Sequence, residues 1–232
     1  MGFSRNLVYL AILALLLGTF VYSQSNRAVA DDYAALPASA EETTPLATGD
    51  RAPAFTVRTV DDEPFVFDPE NLERPTILIS VRGGWCPFCN MQLSNMRFAI
   101  PEPKKNGFDV LFLSNDRPDL LYSSLKRETQ ESIDGLDYFI LSDADLNAAM
   151  ALGTAFRVDE RLIDNLKKKG RDYADSSIGK HKALTVPAVY VIDRSGEIVF
   201  DFVDPDYRIR LSAEDLLAAA NKLVNKTDQV SQ

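Results

Sequence analysis

Cysteine and histidine are scarce in this chain, with two of the first and one of the second in 232 residues. A zinc site built on the two cysteines would need two further ligands, and only His181 is on offer besides carboxylates. Positive charge is also short: 25 Lys and Arg stand against 34 acidic residues, for a net charge of −9, which argues against a nucleic-acid partner. There is no glycine-rich phosphate loop, no Ser/His/Asp constellation and no haem-attachment motif, since Asn90 rather than a histidine follows Cys89. Internal repeats and low-complexity tracts are absent too. No metal and no cofactor is expected.

Both cysteines fall in one stretch, Thr76-Ile77-Leu78-Ile79-Ser80-Val81-Arg82-Gly83-Gly84-Trp85-Cys86-Pro87-Phe88-Cys89. It reads as a buried apolar strand, a two-glycine turn and a Cys-x-x-Cys pair opening a helix. Cys89, Leu93, Met96 and Ile100 recur on the core-facing stripe of that helix, so Cys89 is expected to be shielded. Cys86 precedes the stripe, and Pro87 takes the favoured first helical position. Cys86 is therefore the expected N-cap, exposed and activated, because free N–H groups and the helix dipole favour a thiolate there. A structural disulfide between them would close a loop of about four residues and constrain the unfolded chain little. Two inert core cysteines would leave Pro87 and the glycines without a purpose. The motif points to redox chemistry.

The N-terminus differs in kind. Arg5 precedes an apolar run from Leu7 to Tyr22, and Ala28-Val29-Ala30 follows a short polar stretch. This describes a signal peptide over residues 1–30, cut before Asp31, with an uncleaved membrane anchor as the rival. Either way the rest of the chain is expected to be exported, periplasmic or secreted, and to meet a membrane only through residues 1–30. Residues 31–48, rich in Ala, Glu, Thr and Pro without periodicity, read as a flexible tether. The domain then spans 49–226.

Within it, Phe55–Val57 reads as an edge strand, Phe65–Phe67 as a second strand, a short one, and Asp109–Ser114 as a buried strand. The dithiol helix is expected to run to about Ile100, stopped by Pro101 and Pro103. A helix over 118–129, a strand over 138–141 and helices over 145–152 and 158–169 follow. Residues 171–183 read as a polar loop. Two strands, 187–193 and 197–203, form a hairpin before a last helix capped by Ser212. Strands alternating with helices make a layered α/β sheet.

The order of elements resembles the thioredoxin fold, a central mixed sheet flanked by helices. More closely the chain resembles the peroxiredoxin-like branch of the alkyl hydroperoxide reductase / thiol-specific antioxidant superfamily. The residues carrying this are Gly49–Phe55, Arg82–Cys89, Thr185–Gly196 and Val203–Arg208. The resemblance implies an antioxidant oxidoreductase acting on a protein or small-molecule disulfide or thiol, and on hydroperoxide in the peroxiredoxin version. It also implies departures. The peroxidatic position of that family falls on Cys89, its threonine on Cys86 and its peroxide-polarising arginine on Pro187. Laid on thioredoxins, Val186–Pro187 is expected to be cis and to offer the Val186 backbone to an extended substrate. The aspartate that thioredoxins bury six residues before the first cysteine is Ser80.

Residue by residue, Cys86 is the expected nucleophile and Cys89 the resolving thiol. Trp85, Arg82, Val186 and Pro187 are candidate substrate-binding residues. His181 reads as a solvated loop residue, or as a general base if its loop folds over the dithiol. Arg208 and Arg210 are expected to pair with Asp204 or Asp206. The leading expectation is thiol–disulfide exchange, with peroxide a poor substrate for want of the threonine and arginine. A thiol-dependent hydroperoxide reductase and a redox-inert binding module with a static disulfide are the alternatives. Oligomeric state is not legible.

Overall fold

A computed structural model of the chain describes residues 33–169, 173 and 176–230, with backbone only from 226 onward. The expected signal or anchor segment lies outside the described residues. Among the described residues no helix is long and apolar enough to cross a membrane. The chain divides into two units, Met1–Leu36 and Pro37–Gln232, and the fold belongs to the second.

Its centre is strand β3 (Thr76–Val81), in which all six residues are buried. β3 pairs in parallel with β4 (Asp109–Ser114), which pairs in parallel with β5 (Phe139–Ser142). On the other side β3 runs antiparallel to β8 (Ala188–Ile192), and β8 to β9 (Ile198–Val203). β1 (Phe55–Arg58) and β2 (Pro64–Phe67) complete a seven-stranded mixed sheet in the order β2-β1-β5-β4-β3-β8-β9. β1, expected at the edge, is thus interior, and β2 stands at the edge in its place.

Alternation along β3 divides the core. Ile77, Ile79 and Val81 point into one apolar layer, and Leu78 into the other. The first layer is closed by helix α1 (Pro87–Met96), through Cys89, Leu93 and Met96, and by the last helix (Ala213–Val230), through Leu216 and Ala220. The expected stripe on α1 is therefore buried as read. The helix ends at Met96, and a turn leads to α2 (Pro101–Lys105), so Pro101 begins a helix instead of stopping one. A proline lacks only an N–H that the first helical turn leaves unpaired in any case.

The helix expected over 118–129 is split into a 3-10 turn, Pro118–Leu120, and α3 (Arg127–Ile133). α4 (Asn147–Ala151) covers the second layer through Ala148. β6 (Ala155–Arg157) and β7 (Ala183–Thr185) form a separate two-stranded ribbon, with α5 (Glu160–Lys168) and α6 (Ser177–Lys180) between them. The last helix, α7, has the Ser212 hydroxyl accepting the Asp215 N–H at 3.0 Å, as its capping role requires.

The tether expectation fails over 37–48. Ala40 is buried, the Pro37 carbonyl accepts the Arg157 N–H at 2.8 Å, and the Leu46 N–H donates to the Leu152 carbonyl at 3.1 Å. Thr48 adds its N–H and hydroxyl to the Asp201 carboxylate, at 2.8 and 2.7 Å. Composition marks such a segment as lacking a core of its own, but its backbone is held by partners distant in sequence.

Candidate active site

The dithiol stands where β3 hands over to α1, and the turn between them fits no residue but glycine. Gly83 has φ +132°, and a Cβ there would lie 2.6 Å from the Asp116 carboxylate. At Gly84 a Cβ would meet Ser124 backbone carbon at 2.5 Å. The Gly84 N–H donates to Asp116 Oδ2 at 2.8 Å, and the same oxygen accepts the Ser124 hydroxyl at 2.8 Å. Asn90, buried on α1, donates from Nδ2 to the Gly84 carbonyl at 2.6 Å and to the Cys86 carbonyl at 2.9 Å. Its Oδ1 accepts the Lys126 N–H at 2.8 Å, which ties the turn to the segment before α3. The loop that presents Cys86 is held from both sides by a buried amide and a buried carboxylate.

Cys86 is the N-cap of α1, with extended backbone and Pro87 behind it. Its sulfur makes no capping hydrogen bond of ordinary geometry, so the first turn acts on it through the field of its N–H groups. Its pKa is lowered to about 6, first by the hydrogen bond from the Cys89 thiol, then by the Cys89 amide and the charges of Arg210 and Arg82, against the opposing effect of burial. Cys89 is fully buried, and burial pushes its thiol well above the ordinary range, with the bond to Cys86 adding to the effect. The two sulfurs thus divide into a ready thiolate and a shielded thiol. Cys86 is nevertheless only 2% exposed, which corrects the expectation of an open nucleophile.

The segment after β9, residues 204–212, lies as a strap across the head of α1, with Tyr207 on Phe88 and Arg210 at the sulfurs. Tyr207 sets its ring edge-on to Phe88 at 5.6 Å and lies 4.5 Å from the Arg82 guanidinium carbon. Arg210, three residues on, donates from Nη2 to Cys89 Sγ at 3.5 Å and to Cys86 Sγ at 4.0 Å. Its Nη1 donates to Gln92 Oε1 on α1 at 2.7 Å, and its Nε to the Tyr207 carbonyl at 2.7 Å. Arg82 is buried, gives its Nε to the Thr185 carbonyl at 3.4 Å, and also faces the Phe156 ring at 5.4 Å. Burial lowers its pKa, and the charge of Cys86 works against that.

With this geometry established, comparison with known proteins gives a family. A model described as "AhpC/TSA family" matches residues 48–200, more than half of the chain. The chain belongs to the AhpC/TSA family. Three solved structures show how the fold is shared. A yeast mitochondrial 1-Cys peroxiredoxin, studied for thiol resolution through glutathione and thioredoxin systems, is 18% identical with TM-score 0.55, covering 79% of this chain and 78% of its own. A peroxiredoxin-like protein from Aquifex aeolicus is 19% identical with TM-score 0.52, covering 78% and 89%. Reduced Prx3 from Vibrio vulnificus, in complex with hydrogen peroxide, is 17% identical with TM-score 0.57, covering 75% and 99%. No curated protein matches the sequence. The AhpC/TSA protein described here is, with its family, an oxidoreductase of thioredoxin-like fold.

Other candidate residues of this AhpC/TSA protein fare unequally. Trp85 packs against the layer that holds both cysteines, with its ring edge-on to Tyr173 at 6.0 Å. Val186–Pro187 is not cis. Pro187 stands just before the β8 ladder, which begins at the Ser80–Ala188 pair, so no sheet N–H is required of it. The Val186 N–H already donates to the Thr154 carbonyl at 2.8 Å, and the Val186 carbonyl accepts the Thr185 hydroxyl at 2.9 Å. The substrate platform expected at Val186 and Pro187 is therefore occupied by the protein's own chain. His181 ends α6 with Nε2 3.3 Å from Asp145 Oδ1, on the carboxylate that also pairs with Lys180. That arrangement removes it from the role of base at the dithiol. Arg208 pairs with Asp206 as expected, whereas Arg210 turns to the sulfurs. The sequence marked Arg210 only as one of two alternating arginines, and nothing local told it apart from Arg208.

Proposed function

We propose that this protein is a dithiol hydroperoxide reductase in which Cys86 is the nucleophile and Cys89 resolves. The Arg210 guanidinium lying across both sulfurs, beside a thiolate that is almost closed off, carries this reading. The Cys86 thiolate attacks one peroxide oxygen and the O–O bond breaks. The leaving oxygen takes a proton to become water or alcohol, and Cys86 becomes a sulfenic acid. Cys89 then attacks the Cys86 sulfur, the S–O bond breaks, and hydroxide leaves with the Cys89 proton as water. The resulting Cys86–Cys89 disulfide is reduced by an external thiol through exchange.

Breaking O–O calls for positive charge near the leaving oxygen, and fixed charge in a water-poor site is worth several kcal/mol, on the order of 3 per donor. Arg210 and Arg82 supply it from positions other than Pro187. The expectation of poor peroxide reactivity rested on the absence of such a charge, so the reading reverses it. A fold relative that holds hydrogen peroxide is consistent with this chemistry.

Disulfide exchange is the second reading, favoured by a low-pKa thiol at the head of a Cys-x-x-Cys helix. The small exposure of Cys86 and the engaged Val186 backbone weigh against a protein disulfide reaching it. Trp85 packs beside the dithiol and reports on both by stopped-flow fluorescence. Reduced protein is expected to react faster with hydroperoxide than with a bulky aromatic disulfide, and Cys86→Ser to abolish both. The opposite order of rates would make exchange the function.

We also propose that residues 1–30 direct export. N-terminal sequencing of protein from its native host is expected to begin at Asp31, and an intact Met1 in the membrane fraction would establish the anchor.

A further inference from the structure

Resolution poses a problem that the attack on peroxide does not. Once Cys86 is a sulfenic acid it is neutral, and the thiol that must attack it is fully buried. Ser80, in the place where a thioredoxin would keep its proton acceptor, is taken up by the Thr185 hydroxyl at 3.1 Å. No base stands at that position.

We propose that Arg210 is the residue that lets Cys89 act as the resolving thiolate, by replacing the lost charge partner at its sulfur. This rests on the peroxidase reading above. The geometry supports it in three ways. Arg210 Nη2 is closer to Cys89 Sγ, at 3.5 Å, than to Cys86 Sγ, at 4.0 Å. The guanidinium has no freedom to leave, because Nη1 is held by Gln92 Oε1 and Nε by the Tyr207 carbonyl, both at 2.7 Å. Gln92 is itself buried on α1, one helical turn from Cys89, so helix and strap fix the charge at the sulfur.

The groups acting electrostatically on Cys89 are Cys86 at the head of α1, Arg210 from the segment after β9, and Arg82 just past β3, through both its backbone and its charge. While Cys86 is anionic it holds the Cys89 proton. When Cys86 is oxidised that hold ends, and Arg210 stabilises the anion as the proton passes to the leaving hydroxide. The Arg210 charge favours the Cys89 anion and works against the effect of burial on that thiol.

The test separates this role from the reading on which it rests. Cys86→Ser places a neutral group at position 86, as the sulfenic acid does, and leaves Cys89 as the only thiol. Alkylation of Cys89 with iodoacetamide at pH 8 is expected to slow about tenfold or more when Arg210→Met is added, with its pH profile moved upward. Arg210→Lys is expected to restore part of the rate. In the otherwise wild-type protein, Arg210→Met should slow disulfide formation more than it slows sulfenic acid formation at Cys86. An unchanged Cys89 profile in folded Cys86→Ser/Arg210→Met protein would overturn the proposal, whatever peroxide does. An absence of sulfenic acid at Cys86 in the Cys89→Ser protein would instead remove the peroxidase reading.

Discussion

Two thiols one helical turn apart are driven in opposite directions by their surroundings. Cys86 receives the Cys89 thiol, the field of the first turn and two arginine charges, and its pKa falls to about 6. Iodoacetamide labelling of the reduced protein should therefore follow Cys86 with a midpoint near 6, and Cys89→Ala should raise that midpoint by removing the hydrogen-bond donor that is its largest cause. The same shift enters stability. A thiol with a folded pKa below the unfolded value of roughly 8.5 contributes stability that is complete above that value and lost as pH falls through about 6. Denaturant titration of the reduced protein should show this slope, and Cys86→Ser should lose it. Asp143 has the opposite sign. Burial raises its carboxyl to about 7, although the Ala148 and Ala149 amides donate to it at 3.0 Å each. Its contribution is complete below the unfolded pKa and lost as pH rises through 7. Asp143→Asn should flatten the pH dependence of stability on the neutral side, and a variant that tracks the wild type would remove Asp143 from the account.

At the scale of elements, the β3–turn–α1 unit depends on a close approach that only glycine allows. Gly84→Ala would drive a methyl into the Ser124 backbone, at 2.5 Å where ordinary contact begins at 3.4 Å. Such overpacking costs about 1–3 kcal/mol. Thermal unfolding of Gly84→Ala should shift down accordingly, with peroxide reactivity falling as the loop shifts Cys86. A variant as stable as the wild type would show that the turn has slack. This unit was legible in the sequence because its signals are local: a continuous apolar run, two glycines, Cys-Pro, and a stripe at helical spacing. The β6–β7 ribbon was not, because Ala155–Arg157 and Ala183–Thr185 pair across a gap that no window spans. Residues 37–48 escaped for the same reason, their hydrogen bonds running to Leu152, Arg157 and Asp201. Pro101 was misread because a proline that ends one helix and one that begins the next leave the same local mark.

For the whole molecule, the sheet order brings a residue from beyond β9 onto the first turn of α1, and that placement changes the functional balance. From the sequence alone the family's arginine position held Pro187, and peroxide chemistry lacked its charge. The chain carries the charge at Arg210, 121 residues from Cys89. Its neighbour Arg208 is spent on Asp206, so composition and spacing gave no means to choose between them. Closure by the segment after β9 also explains why Cys86 is buried although it stands at the N-cap, ahead of the core-facing stripe of α1. A small oxidant suits such a site better than a protein disulfide does.

The most direct measurement of the central claim is the position of the first oxidised sulfur. Reduced wild-type and Cys89→Ser proteins are mixed with one equivalent of hydrogen peroxide in the presence of dimedone, which traps sulfenic acid, and mapped by peptide mass spectrometry. The expected result is label on Cys86 in the Cys89→Ser protein, with little in the wild type, where Cys89 captures the intermediate as a disulfide. Label on Cys89 in the wild type, or a Cys86→Ser protein that still consumes peroxide through Cys89, would contradict the account.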